Sequence, residues 1–157
     1  MEHLKNKYGS AAIERFSRPN NPLEVAGSKV GITFNASRRV IQTSKGHRLV
    51  EFLKKRGENT DGFMDVLFRR YFEEARDLSL TPELLEAIEE VGFDKVEASV
   101  FLSGKEEEEA VFKKDEEYKM KGVSGVPFFF LGGYKFSGAQ PVAVFEEVLG
   151  ELVEEEK

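Results

Sequence analysis

The sequence contains no cysteine, only two histidines and no long apolar run. Without a thiol there is no disulfide, no thiolate nucleophile and no cysteine-ligated zinc. The two histidines, His3 and His47, are far apart, and neither falls in an HxxxH or HExxH spacing. No metal and no cofactor are therefore expected. No stretch approaches the roughly 20 apolar residues that a membrane span needs. Met1 to Lys7 is polar and carries charges of both signs, unlike a secretory leader. The expectation is a cytoplasmic protein without membrane contact. A net charge of −6 argues against a grip on phosphate backbones, so no nucleic-acid partner is expected.

What the sequence does hold is enough apolar material for a core. At 157 residues, 40% of them hydrophobic and 14 of them Phe, the chain can bury one domain's worth of surface. The first part reads as helices punctuated by Gly, Pro and Asn. Short helical pieces are predicted over residues 2–8 and 10–17. The turn Pro19-Asn20-Asn21-Pro22 follows, then a helix from Pro22 to about Val30 and an extended stretch from Gly31 to Asn35. Ser44 is the predicted cap of a helix carrying Leu49, Val50 and Leu53 and ended by Gly57. Asp61 opens the most strongly periodic segment, with Phe63, Val66, Leu67 and Tyr71 on one side. Thr81-Pro82 starts another helix, and a short one follows from Asp94 to about Leu102. Ser103-Gly104-Lys105-Glu106 has the form of a capping box for a charged helix reaching about Lys121.

At Gly122 the character changes. Val126 to Leu131 is a continuous apolar run, the pattern of a strand buried on both faces, and its Phe128–Phe130 triplet is assigned to the core. Gly132-Gly133 is a hairpin turn, Tyr134 to Ser137 the partner strand, and Pro141 opens a final helix to about residue 154.

Several of these residues form a pattern. Gly122-Val-Ser-Gly-Val-Pro-Phe-Phe-Phe-Leu, followed by Gly133 and Ser137-Gly138-Ala139-Gln140-Pro141, resembles the C-terminal signature of FrnE-like members of the DsbA family. Ser44-Lys45-Gly46-His47-Arg48-Leu49 resembles the family's asparagine/threonine–alanine–histidine–arginine helix start. Leu67-Phe68-Arg69-Arg70-Tyr71-Phe72 resembles a segment of its inserted helical domain. The likeness spans about residues 40–150, with Met1 to Gly9 matching more loosely. It implies an α/β, mostly helical chain with a partial thioredoxin-like fold of DsbA type. Residues 1–121 would be the helical insertion region of a single incomplete domain, and 122–157 its C-terminal hairpin and helix.

The same resemblance implies a thiol–disulfide oxidoreductase whose Cys-x-x-Cys segment does not precede Met1, so the chain as given is expected to be inactive in redox exchange. The alternatives are a non-catalytic peptide-binding module, or the C-terminal part of a glutathione-handling relative of the kappa-transferase and isomerase type. The resemblance places a cis-proline loop at Gly125, Val126 and Pro127, where a peptide or protein substrate would dock. His47 is a second candidate contact, against the simpler reading of a helix-start histidine satisfied locally. Arg38-Arg39 and Arg69-Arg70 read as surface charges, and Ser124 and Ser137 as turn hydroxyls. Because the family's hairpin pairs with strands not found in this sequence, the apolar strand edge is expected to self-associate.

Overall fold

In the computed structural model of the chain, the residues described are Glu14, Arg18 and 20–155. The helices expected over 2–8 and 10–17 lie outside them except at Glu14. The described elements run α1 Pro22–Ser28, α2 Ser44–Lys55, α3 Asp61–Phe68, α4 Thr81–Glu90, α5 Lys95–Ser103, α6 Glu108–Met120, β1 Phe128–Leu131, β2 Tyr134–Ser137 and α7 Val142–Glu155. Among the described residues the chain is mostly helical with one two-stranded antiparallel sheet, as the periodicities predict. The described residues up to Val111 form one compact unit and those from Phe112 a second.

The helical unit has a real core. Leu49, Leu53, Phe63, Leu84 and Ile88 are fully buried, joined by Ala87, Ala98, Phe101 and Leu102. These positions recur three and four residues apart on α2, α3, α4 and α5, so each helix turns one stripe inward. At about 1.5–3 kcal/mol for each large side chain, this cluster supplies the main stabilising term of the unit. Local chemistry sets the helix starts. The Asn21 side chain accepts from Leu23 and Glu24 N–H at the head of α1, and Asp94 accepts from Val96 and Glu97 N–H at the head of α5.

The structure differs from the sequence reading at several helix ends. α1 stops at Ser28, and Ser44 is the first helical residue of α2 while Thr43 stands in the cap position without a side-chain bond. Leu80 rather than Thr81 precedes α4, with Pro82 in its first turn. The periodic segment from Asp61 does not remain α-helical. Arg69–Glu73 forms a π-helical turn, closed by Ala75 at φ 55°. No capping box forms at Ser103-Glu106. The Ser103 hydroxyl donates to the Val100 carbonyl, Glu107 takes φ 63°, and α6 starts only at Glu108.

The π-turn is tied to α4 by ion pairs. Arg70 donates to Glu86 and Glu90 at 3.2 and 3.1 Å, Arg76 donates to Glu83 and Glu86 at 2.7 and 2.9 Å, and Arg69 pairs with Glu74 and Glu90. Hydrogen bonds from Arg70 hold the Glu86 and Glu90 carboxyls below their ordinary value of 4.5. A carboxyl whose pKa is lower in the folded state stabilises it above the unfolded value, and that contribution is lost as pH falls through the folded value. Denaturant midpoints of the helical unit are therefore expected to drop as pH falls below about 4.5, less steeply in high salt. Midpoints unchanged from pH 5 to strong acid would mean that the network contributes nothing.

The second unit is built differently. β1 and β2 pair in the register Phe128–Ser137, Phe129–Phe136, Phe130–Lys135 and Leu131–Tyr134 around the two-residue Gly132-Gly133 turn. Gly132 adopts φ 55°, and a Cβ there would meet Leu152 of α7 at 2.4 Å, so a larger residue would be strained and would displace Leu152. Phe129, Phe136 and Phe145 of α7 form a ring cluster with centroids 4.9–5.4 Å apart. Val148 is the buried hydrophobic residue of this unit among the described residues.

The sequence reading of a strand buried on both faces needs correction. Side chains alternate across a strand, so Phe129 and Leu131 share the α7 face while Phe128 and Phe130 take the other. Phe130 is 39% exposed, near Tyr118 of α6 at 6.1 Å, and none of the three phenylalanines is fully buried. A continuous apolar run is doubly buried only where a layer covers each face. Here α7 covers one face, and a lone tyrosine ring approaches the other.

Candidate functional site

The loop that enters β1 is the most exposed apolar feature of the second unit. Val126 is 90% exposed, Gly125 and Pro127 are exposed on either side, and the Val126–Pro127 peptide bond is cis. The Pro127 carbonyl accepts from Gly138 N–H at 2.9 Å, which fixes the loop to the residue after β2.

That bond also reveals the strand's polarity. In an antiparallel pair, opposite residues alternate between exchanging hydrogen bonds and not. A two-residue turn makes Leu131–Tyr134 a bonded pair. Phe129–Phe136 and Pro127–Gly138 follow at intervals of two, and the observed Gly138-to-Pro127 bond agrees. The N–H and C=O groups of Phe129 and Leu131 therefore point at β2, and those of Phe128 and Phe130 point away. Among the described residues the sheet has two strands, and no hydrogen bond reaches the Phe128 or Phe130 backbone. Among the described residues these donors and acceptors have no partner, and they are contiguous with the exposed Gly125–Pro127 loop.

The other residues singled out in the sequence lie in the helical unit. His47 is exposed on the first turn of α2, with its N–H bonded to the Thr43 carbonyl at 3.1 Å. Arg69 and Arg70 are consumed by the ion pairs to α4. Arg38 donates to the Asn35 carbonyl and lies 5.5 Å from the rings of Phe34 and Phe72. In the second unit, Ser124 and Ser137 are exposed, and the Ser137 carbonyl accepts from the Gln140 side chain at 2.7 Å.

Two features escaped the sequence reading. Arg48, only 6% exposed, donates to the carbonyls of Glu106, Gly104 and Phe101 at 2.8, 2.7 and 3.3 Å, with its cation 5.2 Å from the Phe101 ring. It thereby closes the C-terminal end of α5, where helix carbonyls lack partners and favour a cation. The second is a cavity of about 440 Å³ walled by Leu23, Ile32, Phe34, Phe68 and Phe72 beside the π-turn. Among the described residues no group of three or more His, Asp or Glu is placed to hold a metal, and no helix is long and apolar enough to cross a membrane.

A β-hairpin entered through a Gly-Val-Pro loop and followed by a helix packed on one sheet face is the C-terminal arrangement of a thioredoxin-like fold. The chain belongs to the DSBA-like thioredoxin domain family, which matches residues 20–150. Among solved structures it is similar to a probable DsbA oxidoreductase from Streptomyces coelicolor, with 28% identity and a TM-score of 0.83 over 94% of this chain. The match covers 64% of that protein, so the chain spans less than two thirds of this relative's length. Among curated proteins none matches.

Proposed function

We propose that this chain acts as a DsbA/FrnE-like polypeptide-docking module that carries out no thiol–disulfide exchange itself. The observation that carries the reading is the outward-facing backbone of Phe128 and Phe130 beside the exposed Gly125-Val126-Pro127 loop. An extended segment that adds to a strand edge gains main-chain hydrogen bonds whatever its sequence, while alternate side chains supply selectivity. Here the apolar surround of Val126, Phe128 and Phe130 favours extended apolar segments, the kind exposed by unfolded or unfolding proteins. The loop supplies no competing N–H at Pro127, and a docked chain then meets the N–H groups of Phe128 and Phe130.

The test is a titration of the labelled protein with an extended apolar peptide, followed by amide chemical shifts. Saturable binding should move Phe128 and Phe130 amides more than those of Phe129 and Leu131. Methylating alternate backbone nitrogens of the peptide should abolish it. Shifts scattered over both units, or unaffected by N-methylation, would contradict docking by backbone pairing.

A further inference from the structure

We infer that the cavity beside the π-turn is a binding site for a small amine carrying an aromatic or branched apolar body. Every residue involved lies in the helical unit, so the site is independent of the β1 edge.

The segment formed by α3 and the π-turn carries two apolar stripes, where packing on a core needs only one. Phe63 and Leu67 are buried in the core, with Val66 and Tyr71 packed against it. Phe68 and Phe72 stand outside that cluster, and Phe68 is 51% exposed. Together with Asp65, Arg69 and Glu73 they repeat at intervals of three and four, and all five line the cavity. Leu23 of α1 and Ile32 and Phe34 of the segment after it complete the wall.

Main-chain bonds fix this wall. The Ile32 N–H donates to the Gly27 carbonyl at 2.9 Å, and the Asn35 N–H donates to the Phe72 carbonyl at 2.8 Å. A Cβ at Gly27 would meet the Phe34 ring at 2.6 Å, so that ring sits directly on α1. Phe72 meets Phe34 edge-on at 5.8 Å and Phe68 at 5.9 Å between centroids. A pre-formed apolar hollow with a few polar groups at its margin is the usual form of a small-molecule site, and π-turns recur at functional sites. Its volume of about 440 Å³ equals that of about 15 waters in the liquid, at roughly 30 Å³ each. One ring with a short chain fits that space.

Charge selects the class of ligand. Arg69 is the cation of the lining, and Glu74 and Glu90 already neutralise it. The Asp65 carboxylate has no hydrogen bond or ion pair with another described residue, and the Glu73 carboxylate accepts the Thr33 N–H at 3.3 Å. The margin therefore carries two carboxylates without a counter-charge, and the phenyl faces below them also attract a cation. Against an amine stands Arg38, whose cation lies 5.5 Å from the Phe34 and Phe72 rings. Arg38 is not part of the lining, and it donates to the Asn35 carbonyl.

Titration of the full chain, followed by amide chemical shifts, compares three probes of similar size: phenylbutylamine, phenylbutanol and phenylbutyrate. The amine should saturably shift the amides of Ile32, Phe34, Phe68 and Phe72. It should bind about five-fold tighter than the alcohol, the share of one ion pair about 4 Å apart in water, and the carboxylate should bind weakest. Added salt should narrow the gap. Asp65→Asn combined with Glu73→Gln should bring the amine to the level of the alcohol and leave the alcohol unchanged. Ile32→Trp, which fills the cavity, should abolish binding of all three probes while a denaturant melt shows the unit still folded. Equal affinity for amine and alcohol, a preference for the carboxylate, or no saturable shift at these residues overturns the inference. Amine binding that survives Ile32→Trp in the folded protein overturns it as well.

Discussion

Insulin reduction by this chain is expected to proceed at the buffer rate. Thiol–disulfide exchange begins with attack of a thiolate on a disulfide sulfur and passes through a mixed disulfide. The chain has no cysteine, so neither the attacking sulfur nor the intermediate can form. Serine is no substitute, because an alkoxide at neutral pH is scarce and its product with sulfur is not a disulfide. The effect is all-or-none, unlike the graded loss from a perturbed thiol. The same assay with dithiothreitol as the only thiol should show no acceleration on adding the protein. Turnover that scales with protein concentration in a thiol-free preparation would refute it.

Arg48→Ala is expected to cost the helical unit about 2–3 kcal/mol, because its backbone carbonyls lose a charged donor. Three carbonyls lose a charged donor at once, and the stem that packs beside Phe101 leaves a void. Arg48→Lys should recover less than half, because a single ammonium cannot span the carbonyls of Phe101, Gly104 and Glu106 as the guanidinium fork does. The loop between α5 and α6 should loosen first, seen as faster exchange at Gly104 N–H, which the Phe101 carbonyl accepts at 3.2 Å. Denaturant melts of the two variants measure the difference. A loss under about 1 kcal/mol for Arg48→Ala would mean that water replaces the guanidinium without penalty.

How much of this was legible in the sequence depends on the range of the forces involved. Helix positions were readable because Phe63 with Leu67, and Leu84 with Leu85 and Ile88, repeat with helical period, and local periodicity is a local signal. The hairpin was readable from Gly132-Gly133 between two apolar runs. What Arg48 does was not readable. It sits next to His47 in the same helix-start motif, yet its three acceptors are 53 to 58 residues away, and nothing local announces them. Ser103-Glu106 does not form a capping box because the Ser103 hydroxyl is spent on the Val100 carbonyl and Glu107 leaves the helical region of backbone space. The π-turn at Arg69–Glu73 likewise answers to α4 through Arg70 and Arg76 rather than to its own residues. The full burial expected for Phe128–Phe130 was the converse error, since an apolar run states what a strand could bury and not which layers are there to bury it.

On the proposed reading, β1 offers its outer backbone, and not a thiol, as the working surface of the second unit. Amide hydrogen exchange read residue by residue along β1 tests it most directly. In dilute protein, Phe129 and Leu131 should be protected by β2 while Phe128 and Phe130 exchange freely. Adding an extended peptide should protect Phe128 and Phe130 and leave their neighbours unchanged. Free exchange at Phe128 and Phe130 under every one of these conditions would contradict the claim.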